Sequence, residues 1–258
     1  MAGIRRSSLL INVPFQLLQR NIDRIAALEV GAEIYIENNL LDDMERSEVT
    51  GLGRILGERG IFCTMHAPYM DLSPGGFDNK VRAETREKLK RTAEFAHILK
   101  AGALICHPGY DKWRFNGHSD LWLERSVETW TEVIRVADEK IPVILENVFE
   151  EEPSTLLALF GVFKEKNLWF CFDTGHFNLF STVPLDGWLI PLATRLRHFH
   201  LHDNHGKSDE HLPVGKGLFP FRELRLFLKR APQALFVAEA AREADALETI
   251  QRAREFLA

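Results

Sequence analysis

His198-Phe-His-Leu-His-Asp-Asn-His-Gly-Lys-Ser-Asp-Glu-His-Leu-Pro-Val-Gly-Lys-Gly217 begins as a strand and breaks into a polar loop. It carries five of the chain's ten histidines, with Asp203 and Asp209 among them and a closing Gly-Lys-Gly. Imidazole and carboxylate together suit a borderline divalent cation such as Zn²⁺ or Mn²⁺. Taken alone, the stretch can also be read as a His-rich surface loop. Strand alternation puts His198, His200 and His202 on one face. His198 should lie deep, His200 near the rim and His202 beyond it; periodicity does not choose between the last two as a ligand. Asp209 and His211, two apart, can converge on one ion if their loop is extended.

The same pattern, an apolar strand followed by a longer amphipathic run, repeats along the chain. The predicted strands are Ser8–Val13, Ala32–Ile36, Ile61–His66, Ala103–His107, Ile141–Glu146, Leu168–Asp173, Leu196–His202 and Leu235–Glu239. Helical spacing of apolar residues marks Gln16–Val30, Glu48–Glu58, Asn79–Lys100, Leu121–Lys140, Ser154–Phe163, Leu185–Ala193, Phe221–Lys229 and Ala244–Leu257. Gly102 reads as the stop of the third of these. Alternating β and α implies a parallel sheet. Eight units with no linker-like break predict one (β/α)₈ barrel domain over residues 1–258, its site at the C-terminal face of the strands. A doubly wound open sheet is the alternative, but it favours a Gly-rich first turn, and the first strand here runs into Asn12-Val-Pro14.

The bulk composition narrows the function. A net charge of -5 gives no general pull toward nucleic acid. Cys63, Cys106 and Cys171 are odd in number and widely spaced, which favours a reducing cytosol and hence a cytoplasmic protein over a disulfide framework. By strand parity Cys63 and Cys106 should face the helices and Cys171 the barrel interior. Arg5 and Arg6 precede an apolar run that stops at Pro14, too short for a signal peptide. No run approaches membrane-span length.

Six consecutive strands end in metal-ligand types. The third closes on His66-Ala-Pro-Tyr69, the fourth on His107-Pro-Gly109 and the fifth on Glu146-Asn147. The sixth closes on Asp173-Thr-Gly-His176, the seventh on His200-Leu-His202-Asp203 and the eighth on Glu239. Each alone is ordinary. In a barrel all six ends meet around one mouth, where enzymes of this fold do their chemistry. Buried imidazoles and carboxylates must be paired or metal-bound.

As a set these motifs, with Asp209-Glu-His211 and Gly215-Lys-Gly217, resemble the xylose isomerase-like barrel superfamily over the third to eighth strands. That group includes endonuclease IV (AP endonuclease family 2) and the sugar and sugar-phosphate isomerases and epimerases. The resemblance implies one to three divalent ions, Zn or Mn with Fe as a further candidate. Its ligands would be His66, His107, Glu146, Asp173, His176, His200, Asp209, His211 and Glu239, a match that selects His200 over His202. Epimerases of the group need only the positions of Glu146, Asp173, His200 and Glu239, with the two glutamates as acid and base. The fuller set suits phosphoester hydrolysis, in which Glu146, Glu239 and Asp173 would be the catalytic carboxylates. The expected reaction is therefore hydrolysis of a small phosphorylated substrate, a cobamide-type phosphodiester being one class. A single-metal sugar or sugar-phosphate isomerase or epimerase is the first alternative, and an AP endonuclease acting on DNA the second. Asn12-Val-Pro-Phe and Glu37-Asn-Asn-Leu do not resemble DNA-penetrating loops. Tyr69, His202, Lys216 and Arg242 are candidate substrate contacts, Lys216 through a phosphate-binding turn and Arg242 as an anion clamp. Trp113 and Phe115 are candidates for a floor or lid of the mouth. A non-catalytic metal-binding barrel is the remaining reading.

Overall fold

In the computed structural model, which describes residues 8–138, 140–164 and 167–258, eight parallel strands close into a barrel in chain order. They are β1 (Leu9–Pro14), β2 (Gly31–Tyr35), β3 (Cys63–His66), β4 (Leu104–Cys106), β5 (Val143–Glu146), β6 (Leu168–Asp173), β7 (Leu196–Leu201) and β8 (Leu235–Ala238). Strand β8 pairs back onto β1 through Leu9↔Phe236. All eight predicted strands are present, and the barrel prevails over the open sheet. Arg5 and Arg6 lie outside the described residues. No helix among the described residues is long and apolar enough to cross a membrane.

Side-chain alternation divides the barrel into two environments. Leu9, Ile11 and Val13 of β1, Ala32 and Ile34 of β2, and Cys63 and Met65 of β3 all join one large apolar layer against the helices. Leu104 and Cys106, Val143 and Leu145, and Phe170 and Phe172 continue it. Each fully buried aliphatic side chain there contributes roughly 1.5–3 kcal/mol. The opposite parity points inward. It begins with a small apolar plug of Ala103, Ile105, Ile144 and Cys171, and it ends in polar residues at the strand ends. The three cysteines are free and buried, and they face as their parity predicts.

The helices are α1 (Phe15–Ala27), α2 (Asn38–Asp43), α3 (Arg46–Glu58), α4 (Asn79–Leu99), α5 (Ser119–Ala137), α6 (Ser154–Val162), α7 (Thr174–Phe180), α8 (Leu185–Leu189), α9 (Phe221–Leu228) and α10 (Ala246–Leu257). Two of them, α2 and α7, sit in stretches that read as loops. Neither reaches two full turns, so no apolar period could announce them. Helix α4 stops before the expected Gly102. Lys100 takes a left-handed conformation at φ 56°, and its amide bonds back to Ala96 and His97.

Candidate metal and active site

The barrel mouth gathers its donors around Glu146, at the end of β5 and essentially buried. His176 Nδ1 lies 3.0 Å from one of its oxygens. The other oxygen lies 3.1 Å from His200 Nδ1, 3.2 Å from His66 Nε2 and 3.5 Å from His107 Nε2. A second focus forms at Asp173 and Glu239. His200 Nδ1 is 3.5 Å from Asp173 and 3.4 Å from Glu239. His211 Nε2 is 3.2 Å from Glu239, and Asp209 stands 3.6 Å from His176 Nε2 and 3.5 Å from His211 Nδ1. The nine residues expected as ligands thus lie in one connected cluster.

Local sequence explains how they are held. Asp173 caps α7 by accepting the His176 amide at 2.7 Å, which places His176 one turn into the helix and facing back. Asn147 fixes the same corner: its side chain accepts from the Asp173 amide and donates to the Asp173 carbonyl. Gly175 leaves room for the His202 ring, whose atoms lie 2.0–2.7 Å from where a Cβ would stand. His202 is therefore fully buried, contrary to its expected place beyond the rim. Its Nε2 lies 3.0 Å from Asp173 and 3.5 Å from Glu239, and its ring stacks on His211 at 4.1 Å. His202 stands among these nine side chains, and with Asp209 and His211 it forms one of the groups that could hold an ion.

The Gly-Lys-Gly turn has a different task from phosphate binding. The amides of Gly215 and Gly217 both donate to Asp203 Oδ2, at 3.1 and 2.8 Å, and the Phe219 amide donates to Oδ1. The anion in this cradle is the chain's own Asp203. A side chain at Gly217 would collide with Asp203 and with the Asn204 carbonyl. Lys216 turns outward to Glu248 at 3.1 Å, and exposed Arg242 forks onto Asp245. Neither lines the mouth. Trp113 is exposed beneath the Lys112 ammonium and Phe115 is buried against Tyr110, and neither is among the residues lining the mouth cavity.

The cavity above the cluster holds about 700 Å³ and is lined by His66, His107, Glu146, His176, Asp209, His211 and Glu239. Tyr69 joins that lining, stacked on His107 at 4.5 Å and tilted against Tyr35. Asn12, Tyr35, Phe149 and Arg114 also face it, none of them expected. Glu33 was missed too. It is a fully buried β2 carboxylate beneath the cluster, 2.9 Å from both His198 and His200. An acid at the inward parity of an otherwise apolar strand was the available signal.

Burial opposes charge on every group here, yet most remain charged because they face one another. His200 and His198 overcome burial to hold the Glu33 carboxyl well below the usual carboxylate range. His200 and His107 do so for Glu146, His176 and His202 for Asp173, and His200 and His211 for Glu239. In return, Asp173 outweighs burial to lift His176, and Glu146 lifts His66. At His200 burial is outweighed by Cys171, Glu146, Glu239 and Glu33. The hydrogen bond to Glu239 overcomes burial to raise His211 to about 9. His107 and His198 go the other way, held neutral by burial.

Glu150 stands apart from this exchange. Burial pushes its carboxyl up to about 7, against the amide bond from Val148 to Oε2 at 2.8 Å; Oε1 has no partner. An acid whose value rises on folding contributes a penalty that is absent at pH 4.5 and grows as pH rises through 7, because the unfolded chain ionises first. Glu150→Gln keeps the acceptor and removes the penalty. The expected gain is about 1–3 kcal/mol at pH 8, fading near pH 4.5. Urea denaturation at the two pH values checks it, and equal gains at both would refute the ionisation account.

The chain is similar to several known proteins over most of its length. An uncharacterised protein of Methanocaldococcus jannaschii is 31% identical over 173 residues, 64% of this chain and 59% of that protein. The matched stretch thus spans less than two thirds of that relative. A probable endonuclease 4 of Mycobacterium ulcerans is 26% identical over 191 residues, 69% of this chain and 73% of that protein. The crystal structure of a D-tagatose 3-epimerase-like protein superposes with TM-score 0.83 at 25% identity, covering 97% of each chain. Residues 25–258 match the family described as Xylose isomerase-like TIM barrel, and the chain belongs to that family.

Proposed function

We propose that the chain is a metal-dependent hydrolase that cleaves a phosphoester in a small phosphorylated substrate at a multinuclear centre. The size of the donor set carries this reading. His66, His107, His176, Asp209 and His211 exceed what a single ion needs, yet His66, His107 and His176 contact Glu146, His211 contacts Glu239, and Asp209 contacts His176 and His211. The chemistry of the donors fits cations. Imidazole nitrogens and carboxylate oxygens come together in threes within 4.8 Å, as at His66, His107 and Glu146, at Glu146, Asp173 and His176, and at His202, Asp209 and His211. Zn²⁺, Mn²⁺ or Fe²⁺ would suit this mixed set. When bound, such ions supply Lewis acidity, activating a water and neutralising charge on the phosphoryl group.

The side chains have separable tasks in this reading. Glu146, at the centre of the imidazoles, would help hold the ions or take up a proton from the attacking water, with Asp173 and Glu239 as the companion carboxylates. Tyr69, stacked on His107, forms the wall against which a substrate would rest, and Arg114 is the one Lys or Arg side chain among the described residues of the lining. So few cations at the mouth, with a net charge of -5, give little grip on a DNA backbone.

A second reading, sugar epimerisation, is favoured by one observation: Glu146 and Glu239 flank His200 Nδ1 at 3.1 and 3.4 Å, as an acid–base pair about one ion would. The two readings separate experimentally. Elemental analysis of protein purified without added metal should find two or three equivalents. On nitrophenyl phosphoesters and a cobamide-type phosphodiester, His107→Ala and His211→Ala should each lower kcat by at least about 100-fold. One equivalent of metal, with ketose epimerisation that survives both changes but not Glu146→Gln or Glu239→Gln, would replace the hydrolase with the epimerase. Cleavage of an abasic duplex in preference to the small esters would replace it with a DNA enzyme.

A further inference from the structure

Glu33 has no solvent exposure, and its two oxygens are used differently. Oε2 accepts from the Thr64 hydroxyl at 2.8 Å and meets His198 Nε2 at 2.9 Å. The β2–β3 register sets the first contact by placing Glu33 beside Thr64. Oε1 lies 2.9 Å from His200 Nε2, an ion-pair contact without the alignment of a hydrogen bond, and neither atom has a hydrogen-bond partner. A carboxylate only accepts, so the His200 nitrogen beside it must carry the proton. The lone pair of a neutral His200 is then on Nδ1. That is the nitrogen 3.1 Å from Glu146, 3.4 Å from Glu239 and 3.5 Å from Asp173.

We propose that Glu33 is a positioning residue that locks His200 in the Nε2–H tautomer, so that Nδ1 presents its lone pair to a bound cation. The inference rests on the metal-centre reading above. A carboxylate behind a ligating imidazole fixes the ring's tautomer and orientation and raises its basicity. The surrounding contacts are built for that role. Thr64 and His198 hold Oε2, which leaves Oε1 to face His200.

The direct test needs no variant. In ¹⁵N-histidine-labelled wild-type protein loaded with Zn²⁺, His200 should show a protonated Nε2 and an unprotonated Nδ1 shifted by the metal. Glu33→Gln should weaken Zn²⁺ binding by about 10–100-fold in competition with a chelator. Glu33→Asp, which keeps the charge, should recover most of that loss. A proton on Nδ1 of metal-loaded wild type overturns the inference. So does wild-type Zn²⁺ affinity in a folded Glu33→Gln protein. Wild-type protein that binds no Zn²⁺, Mn²⁺ or Fe²⁺ overturns the metal-centre reading itself, whereas normal wild-type binding with an unaffected Glu33→Gln variant overturns only the role of Glu33.

Discussion

Glu146→Ala should abolish turnover and lower the stability of the metal-free protein by about 3–5 kcal/mol. Four imidazoles, those of His66, His107, His176 and His200, lie 3.0–3.5 Å from this one carboxylate. Three of the four, His66, His176 and His200, are raised above the ordinary histidine value, and Glu146 is among the groups that raise them. Removing it leaves buried positive charge without its nearest counter-charge, and the rings must either stay charged at a cost or give up protons they hold favourably. Glu146→Gln keeps the volume and one acceptor. It should be equally inactive but lose about half as much stability, because the cavity is spared and only the charge is gone. Urea denaturation in EDTA at pH 7 measures both. An Ala variant within about 0.5 kcal/mol of wild type would mean that the imidazoles are neutral and that Glu146 is not the hub of the cluster.

The barrel was legible because two periods survive in the sequence. Inward and outward residues alternate strictly, so Cys171 could be separated from Cys63 and Cys106 by counting alone. The long helices α4 and α5 carry enough turns to show an apolar face. Where those periods fail, so does the reading. Helix α7 is specified by the Asp173 cap and by Gly175 making room for His202, and both are three-dimensional facts. The strand-end ligand types were visible as residues, but their distances were not. His202 was set beyond the rim because parity places a side chain on a face and says nothing of depth once the strand ends. Lys216 reads as free to bind an anion because its partner Glu248 sits on α10, and Arg242 because nothing in the sequence says that Asp245, three residues on, folds back onto it. Glu33 was passed over for a related reason: nothing in Gly31-Ala-Glu-Ile-Tyr35 says that the acid's partners are Thr64, His198 and His200, the last two on a strand more than 160 residues later.

The stability that metal confers should grow as pH rises from 6.5 to 9. In the metal-free protein, protons stand in for cations. His66, His176 and His200 are raised above their unfolded value, and His211 is raised to about 9. A raised base contributes stability that is full below the unfolded value near 6.5 and is lost as pH climbs through the folded one. The facing carboxylates, Glu146, Asp173, Asp209 and Glu239, are all lowered and stay ionised throughout this window, so losing ring protons exposes acid to acid. His211 alone accounts for about 2–3 kcal/mol, and the cluster should lose at least about 3 kcal/mol between pH 6.5 and 9. Bound cations remove the loss at its source. They require neutral imidazoles, so they take the place of the protons and keep the carboxylates apart as pH rises. At a thousandfold excess over Kd a single ion stabilises by about 4 kcal/mol, and its Kd itself tightens as fewer protons must be displaced. Melting curves in EDTA and in Mn²⁺ or Zn²⁺ across this range should therefore diverge, with the EDTA curve falling and the metal curve nearly flat. Parallel curves, or a metal-free protein as stable at pH 9 as at 6.5, would mean that these rings are not charged in the folded chain, and the mutual support of acid and imidazole at the mouth would have to be given up.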